Sequence, residues 1–207
     1  MAALAALWCV AGAAQAAPPL KIVGPWEVHS IDPASNGVLF TRLQVAESLV
    51  DADTNSVLRP GLAESWKVSA DQLSWRFVLR KGAQFHDGSP VTAEAVVQAL
   101  EIALKKPGVM KTAPIKRFVA QKGDVVVELN KPFAPLPAVL AHASAQILAP
   151  SSYAADGSVK QVIATGPYRI TQLSQPQAVQ TARFDKWWGK APEIGEVSYL
   201  SVGRGET

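Results

Sequence analysis

The sequence predicts an α/β fold of the mixed α+β kind: a mixed sheet with flanking helices and an antiparallel hairpin subdomain. Two strand–turn–strand patterns and one well-bounded helix carry that expectation. Trp66–Ser69 and Trp75–Arg80 flank the polar turn Ala70-Asp71-Gln72, and Ile115–Ala120 and Asp124–Leu129 flank Lys122-Gly123. Both read as hairpins, because runs of β-branched and aromatic residues meet at turn formers. Between them Val96, Leu100, Ala103 and Leu104 make an apolar stripe at three- and four-residue steps, the period of a helix.

Taken in order, Met1 to Ala16 contains no charge, is apolar from Ala2 to Ala14, and ends in Ala14-Gln15-Ala16. Small residues one and three before a cut suit signal peptidase, so residues 1–16 are expected to be an export signal cleaved after Ala16. The run is too short for a membrane span, which needs ~20 apolar residues. No Lys or Arg precedes it, which suggests a true start further upstream. Cys9, the single cysteine, lies inside this signal, and Trp8 before it does not suit a lipoprotein site. A mature chain without cysteine has no disulfide and no thiol chemistry.

Leu20–Val23 alternates and forms the first mature strand, ended by Gly24-Pro25-Trp26. Glu27 to Gly37 reads as a loop, with Asp32-Pro33 and Asn36-Gly37 as its signals. From Val38 the pattern turns helical, since Leu39, Leu43, Ala46 and Leu49-Val50 recur at helical steps. A connection of ~14 residues between strand and helix usually has a task of its own. Asp51–Ser56 is a polar turn, Val57–Arg59 leads into Pro60-Gly61, and Leu62-Ala63 reads as one short helical turn. In the first hairpin Trp75, Phe77 and Leu79 share a face by period two, with Arg76 and Arg80 opposite.

His86-Asp87-Gly88-Ser89-Pro90 is a tight turn. Thr92 is the expected N-cap of the next helix, Glu94 sits in its first turn, and Pro107-Gly108 stops it. Past Pro132, Pro135 and Pro137, Ala138–Ala145 reads as a short helix and Ile147–Pro150 as a buried strand or connector. Thr165–Ile170 begins a strand that pairs with Ala178–Phe184. Lys186–Pro192 is an aromatic turn, and Glu196–Ser201 is the last strand.

The chain of 207 residues suffices for one domain or one and a half. Its 48% hydrophobic and 18% charged residues exclude intrinsic disorder. The net charge of +3 is spread without any block of like sign, so no nucleic-acid partner is expected. Neither G-x-G-x-x-G nor G-x-x-x-x-G-K-[ST] occurs, and there is no G-x-S-x-G elbow. No catalytic residue and no cofactor is therefore assigned. His29, His86 and His142 stand too far apart for a helical metal pair. His86 beside Asp87 belongs to a structural turn, and His142 reads as a satisfied, partly buried histidine. His29, in the polar loop, is a candidate ligand contact.

Several blocks together resemble the family 5 solute-binding proteins of ABC importers, the dipeptide-, oligopeptide- and nickel-binding type. They are Ala46-Glu47-Ser48-Leu49-Val50, Pro60-Gly61-Leu62-Ala63-Glu64-Ser65-Trp66, Trp75-Arg76-Phe77 with Leu79-Arg80-Lys81-Gly82, and Phe85-His86-Asp87-Gly88-Ser89-Pro90 with Thr92-Ala93-Glu94. Thr165-Gly166-Pro167-Tyr168 and Trp187-Trp188-Gly189-Lys190-Ala191-Pro192 resemble a later family signature, where Tyr-Trp is more usual. Ala95 stands where the family often has Asp.

The resemblance implies the first lobe of a two-lobe periplasmic binding protein of type II. Residues 17–207 would be that N-terminal lobe, incomplete, because family members run to roughly twice this length. It implies an exported, periplasmic, non-enzymatic receptor, a monomer, that closes on a peptide or a nickel or other metal-chelate complex and delivers it to a membrane permease. In the family the segment Trp26 to Arg42 corresponds to one lining the cleft. Here it offers Trp26, His29, Asn36, Phe40 and Arg42 as ligand-binding candidates. Other readings are a degenerate or repurposed single lobe acting as an interaction module, and a small secreted hydrolase.

Overall fold

The computed structural model describes residues 17–203, so the expected signal of residues 1–16, with Cys9, lies outside the described residues. The two hairpins form as the sequence predicts. β4 (Ala63–Val68) and β5 (Ser74–Leu79) pair antiparallel with Trp66 opposite Phe77 and Val68 opposite Trp75. β6 (Ile115–Gln121) and β7 (Asp124–Leu129) close on Lys122 and Gly123, both at positive φ, the geometry that matches the twist of a two-residue hairpin. β5 then pairs with β7, giving a four-stranded antiparallel sheet in the order β4-β5-β7-β6.

One helix covers this sheet. α2 (Ala93–Lys105) starts at Thr92, whose hydroxyl accepts the Ala95 N–H at 3.2 Å, and packs against β6 and β7. Phe77, Phe85, Leu100, Met110, Val125 and Val127 fill the space between. A two-stranded ribbon, β2 (Val50–Ala52) with β3 (Leu58–Pro60), precedes the sheet.

The second sheet is mixed. β1 (Leu20–Gly24) runs parallel to β10 (Glu196–Ser201), and β10, β9 (Ala178–Arg183) and β8 (Tyr168–Ser174) continue antiparallel. α1 (Pro33–Arg42) contributes to a second core, where Leu39, Phe40 and Leu43 meet Leu148, Val179 and Tyr199. The expected mixed sheet, flanking helices and hairpin subdomain are all present.

Four local expectations need correction. α1 begins at Pro33, not Val38. Asp32 caps it, with Oδ1 accepting the Ala34 N–H at 3.0 Å, and Pro33 occupies a first-turn position whose N–H has no intrahelical partner anyway. Gly37 stays inside the helix because a side chain there would collide, its Cβ lying 2.4 Å from the Ala143 carbonyl oxygen. The same helix ends at Arg42, where Gln44 takes φ +53°. Ala46, Leu49 and Val50 of the expected apolar stripe are buried, but beyond the helix.

Leu62-Ala63 is not a helical turn. The N–H groups of both donate to the carbonyls of Ser48 and Leu49, and Ala63 opens β4. The short helix expected at Ala138–Ala145 is α3 (Leu136–Leu140), followed by a single 3₁₀ turn at Ala143–Ala145. Ile147–Pro150 is the connector alternative: Ile147, Leu148 and Ala149 are fully buried, and the Ile147 N–H reaches the Glu47 carbonyl at 2.9 Å.

Candidate functional site

β1 and β10 lie side by side and parallel, and their carboxyl ends, Gly24 and Ser201, lie together. Ligands of α/β sheets bind in the crevice outside such ends. The chain leaves β1 there and presents Trp26, 50% exposed although it is the largest side chain type. Its backbone is fixed from the neighbouring strand: the Tyr199 hydroxyl accepts the Trp26 N–H at 3.0 Å and donates to the Trp26 carbonyl at 2.7 Å. Tyr199→Phe removes both bonds at once. It is expected to cost ~1–2 kcal/mol by urea unfolding and to shift Trp26 emission, whereas an unchanged emission would show that Trp26 is held by other contacts.

Arg42, at the last position of α1, lays its guanidinium carbon 3.9 Å from the centroid of the Trp26 ring. A segment of sixteen intervening sequence steps thus closes on itself, with its first and last candidates in contact. Such stacking holds Arg planar while leaving its fork of N–H donors free for a carboxylate.

The other three candidates behave differently. His29 is exposed and pairs with Glu27, Nε2 to Oε2 at 2.7 Å. Asn36 turns back and donates its amide to the Ser30 carbonyl at 3.1 Å, bracing the entry to the helix. Phe40 is a correction: it is 0% exposed and packed in the core under α1, so it offers a ligand no surface. Its helical position three residues from Gly37 and Leu43 places it on the inner stripe. Among the described residues no three His, Cys, Asp or Glu side chains converge as a metal site. On the far flank of α1 a crevice of about 660 Å³ is lined by Asp32, Ser35, Gln98, Lys105, Lys106 and Asp156. The ion pair between Lys106 Nζ and Asp32 Oδ2 belongs to its wall.

A second centre escaped the sequence reading, although its residues come from the motif blocks. Both oxygens of Glu47 accept indole N–H groups, Oε1 from Trp187 at 3.3 Å and Oε2 from Trp188 at 3.2 Å. The Arg80 guanidinium lies 3.7 Å over the Trp188 ring and donates to the Gly61 carbonyl at 3.3 Å. Burial pushes the Glu47 carboxyl up to about 7, against the opposing pull of the nearby Thr165 hydroxyl, the two indoles and the Arg80 charge.

His86 staples the same region. Its Nε2 donates to the Gly166 carbonyl at 3.0 Å, since a carbonyl can only accept, and its Nδ1 accepts the Ala164 N–H at 3.3 Å. With both nitrogens committed and the ring partly buried edge-on to Phe184, desolvation holds its pKa down to about 4. His86 is thus structural, as its turn context predicts. His142 is satisfied as expected, accepting the Ser144 N–H at the start of the 3₁₀ turn, but it is exposed rather than partly buried. The available signal for the second centre was the pairing of a lone Glu in one apolar block with a Trp-Trp step in another, a link that no local periodicity exposes.

The family model for bacterial extracellular solute-binding proteins, family 5 Middle, matches residues 57–207. The chain is 32% identical over 164 residues to the probable D,D-dipeptide-binding periplasmic protein DdpA of Escherichia coli (strain K12), covering 74% of this chain and 32% of that protein. It is 28% identical over 166 residues to the glutathione-binding protein GsiB of Salmonella typhimurium, covering 75% and 32%. The fold superposes on the nickel-complexed NikA of Staphylococcus aureus with a TM-score of 0.80 at 23% identity, covering 89% of this chain and 39% of that one. The chain spans about a third of the length of the curated relatives it matches. Among the described residues no helix is long and apolar enough to cross a membrane.

Proposed function

The chain belongs to the bacterial extracellular solute-binding proteins of family 5, and from that premise we propose that it is the N-terminal lobe of an exported receptor. The receptor captures a peptide, or a nickel or other metal-chelate complex, and passes it to the membrane permease of an ABC importer. The observation that carries this reading is the Arg42–Trp26 stack beside the carboxyl ends of β1 and β10. An exposed indole gives a flat apolar surface, and the guanidinium beside it gives bidentate donors for the carboxylate that every peptide terminus and most biological chelators present. Among the described residues no cluster of His, Cys, Asp or Glu could hold a metal, so where a metal is carried this wall would meet its chelator. Trp26, Arg42 and His29 are the exposed contacts of this wall, with Asn36 shaping the loop that bears them.

A cleft desolvates its ligand from two sides, so one wall alone binds weakly. Titration of this 207-residue chain with D-alanyl-D-alanine, glutathione and a nickel–histidine complex, followed by ¹H–¹⁵N spectra, is expected to shift the Trp26 indole and Arg42 Nε signals with a millimolar Kd. Arg42→Ala is expected to weaken that binding about tenfold, the scale of one charged hydrogen bond. A micromolar Kd would show that one wall suffices. No shift at Trp26 with any of the three would remove the site.

A further inference from the structure

A cavity of about 430 Å³ lies beside the second centre, lined by Thr41, Gln44, Glu47, Asp51, Trp187 and Trp188 among others. Its volume is that of a small-molecule site. Two observations concern what Glu47 lacks on its wall. Glu47 is a largely buried carboxyl, yet among the described residues it makes no ion pair. Its near hydrogen-bond donors are all neutral, the two indoles and the Thr165 hydroxyl, whereas a buried carboxylate ordinarily has a cationic partner.

The walls favour positive charge. Trp187 and Trp188 meet at 4.9 Å between centroids with their planes tilted 47°, which makes an aromatic corner rather than a stack. An aromatic corner closed by a carboxylate is the arrangement that attracts ammonium and guanidinium groups. Trp188 already holds one such group, since Arg80 covers its ring. Arg80 does not line the cavity. Asp51 adds a second acid on the cavity wall.

We propose that this cavity binds an organic cation, an ammonium or guanidinium group, as the counterion of Glu47 against the corner formed by Trp187 and Trp188. The site is separate from the Trp26–Arg42 wall and does not rest on its reading as the ligand surface. Occupancy ties the 186–192 turn to the segment after α1, so a bound cation also braces the junction between the two sheets.

The test uses the 207-residue chain at fixed ionic strength. Methylguanidinium and tetramethylammonium serve as free cations, and a capped Ala-Arg-Ala tripeptide presents the same chemistry as a side chain. Urea and neopentyl alcohol are the neutral counterparts. The expected result is a saturable shift of the Trp187 and Trp188 indole N–H signals with at least one cation, assigned through Trp187→Phe and Trp188→Phe. Binding of the free cations marks a small-molecule site, and binding of the tripeptide alone marks a docking site for a basic side chain. Glu47→Gln, checked for native dispersion of the remaining signals, is expected to weaken the shift tenfold or more. Arg42→Ala is expected to leave it unchanged. Equal shifts with the neutral counterparts, or none with any cation, would overturn the proposal, and this second comparison needs no variant to fold.

Discussion

Gly166→Ala is expected to lower the melting temperature of this chain by roughly 6–12 °C, about 3 kcal/mol at the 2–4 °C per kcal/mol of a domain this size. The reason is space, not conformation. A Cβ at Gly166 would stand 2.3 Å from the Gln44 carbonyl oxygen and 2.6 Å from that of Val45. The Gly166 N–H donates to the Val45 carbonyl at 2.9 Å, and the Tyr168 N–H donates to the Gln44 carbonyl, so the two backbones cannot separate without losing those bonds. Gly166 also accepts from His86, which fixes it from the other side. Gly88→Ala is the control. Gly88 has φ +83° with nothing within 4 Å of a new Cβ, so only the left-handed conformation is penalised, at ~1 kcal/mol. Equal losses for the two variants would mean that the close approach at Gly166 relaxes freely.

That contrast shows how far the sequence was legible. The hairpins at Trp66–Arg80 and Ile115–Leu129, and the helix between Thr92 and Pro107, depend on turn formers, a cap and a local period, which a short window of residues expresses in full. Elements that depend on distant partners were misread. Asp32-Pro33 signals a loop or a helix start equally well, and what selects the helix is burial of Leu39 and Phe40 against Val179 and Tyr199, far along the chain. Leu62-Ala63 becomes extended because the Ser48 and Leu49 carbonyls await its N–H groups.

The same divide runs through the site. Trp26 and Arg42 could be named as chemically able, but their stacking needed the fold to bring the ends of the segment together. Phe40 entered the candidates with the segment that the resemblance places along the cleft, whereas the fold turns it to the buried face of α1 beside Leu39 and Leu43. Glu47, Arg80, Thr165 and the Trp187-Trp188 step were visible only as fragments of a resemblance. Their meeting explains why those blocks go together: each supplies part of one buried hydrogen-bonded junction between the two sheets.

That junction holds two titrating groups whose effects on stability oppose each other. Glu47 is pushed up from 4.5 to about 7, so the folded chain binds its proton more tightly than the unfolded chain does. Its contribution is complete below pH 4.5 and is lost as pH rises toward 7. His86 is pushed down from 6.5 to about 4, so the folded chain resists its protonation. Its contribution is complete above pH 6.5 and is lost as pH falls toward 4. Each amounts to at most roughly 3 kcal/mol across its window, and the windows overlap between pH 4.5 and 6.5. The expected outcome follows from the signs. Relative to the parent chain, Glu47→Gln leaves the histidine unopposed, so stability rises more steeply with pH from 4.5 to 6.5, by up to about 1.4 kcal/mol per unit. His86→Gln leaves the carboxyl unopposed, so stability falls over the same interval. Urea unfolding at four pH values between 4.5 and 7.5 measures both slopes. The double variant is expected to return close to the parent slope, because the two opposing contributions that nearly cancel in the parent are then both absent. Parallel curves for the parent and the Glu47→Gln chain would show that the carboxyl titrates in its ordinary range. They would also place the junction's stability in the Arg80, Gly61 and His86 contacts alone.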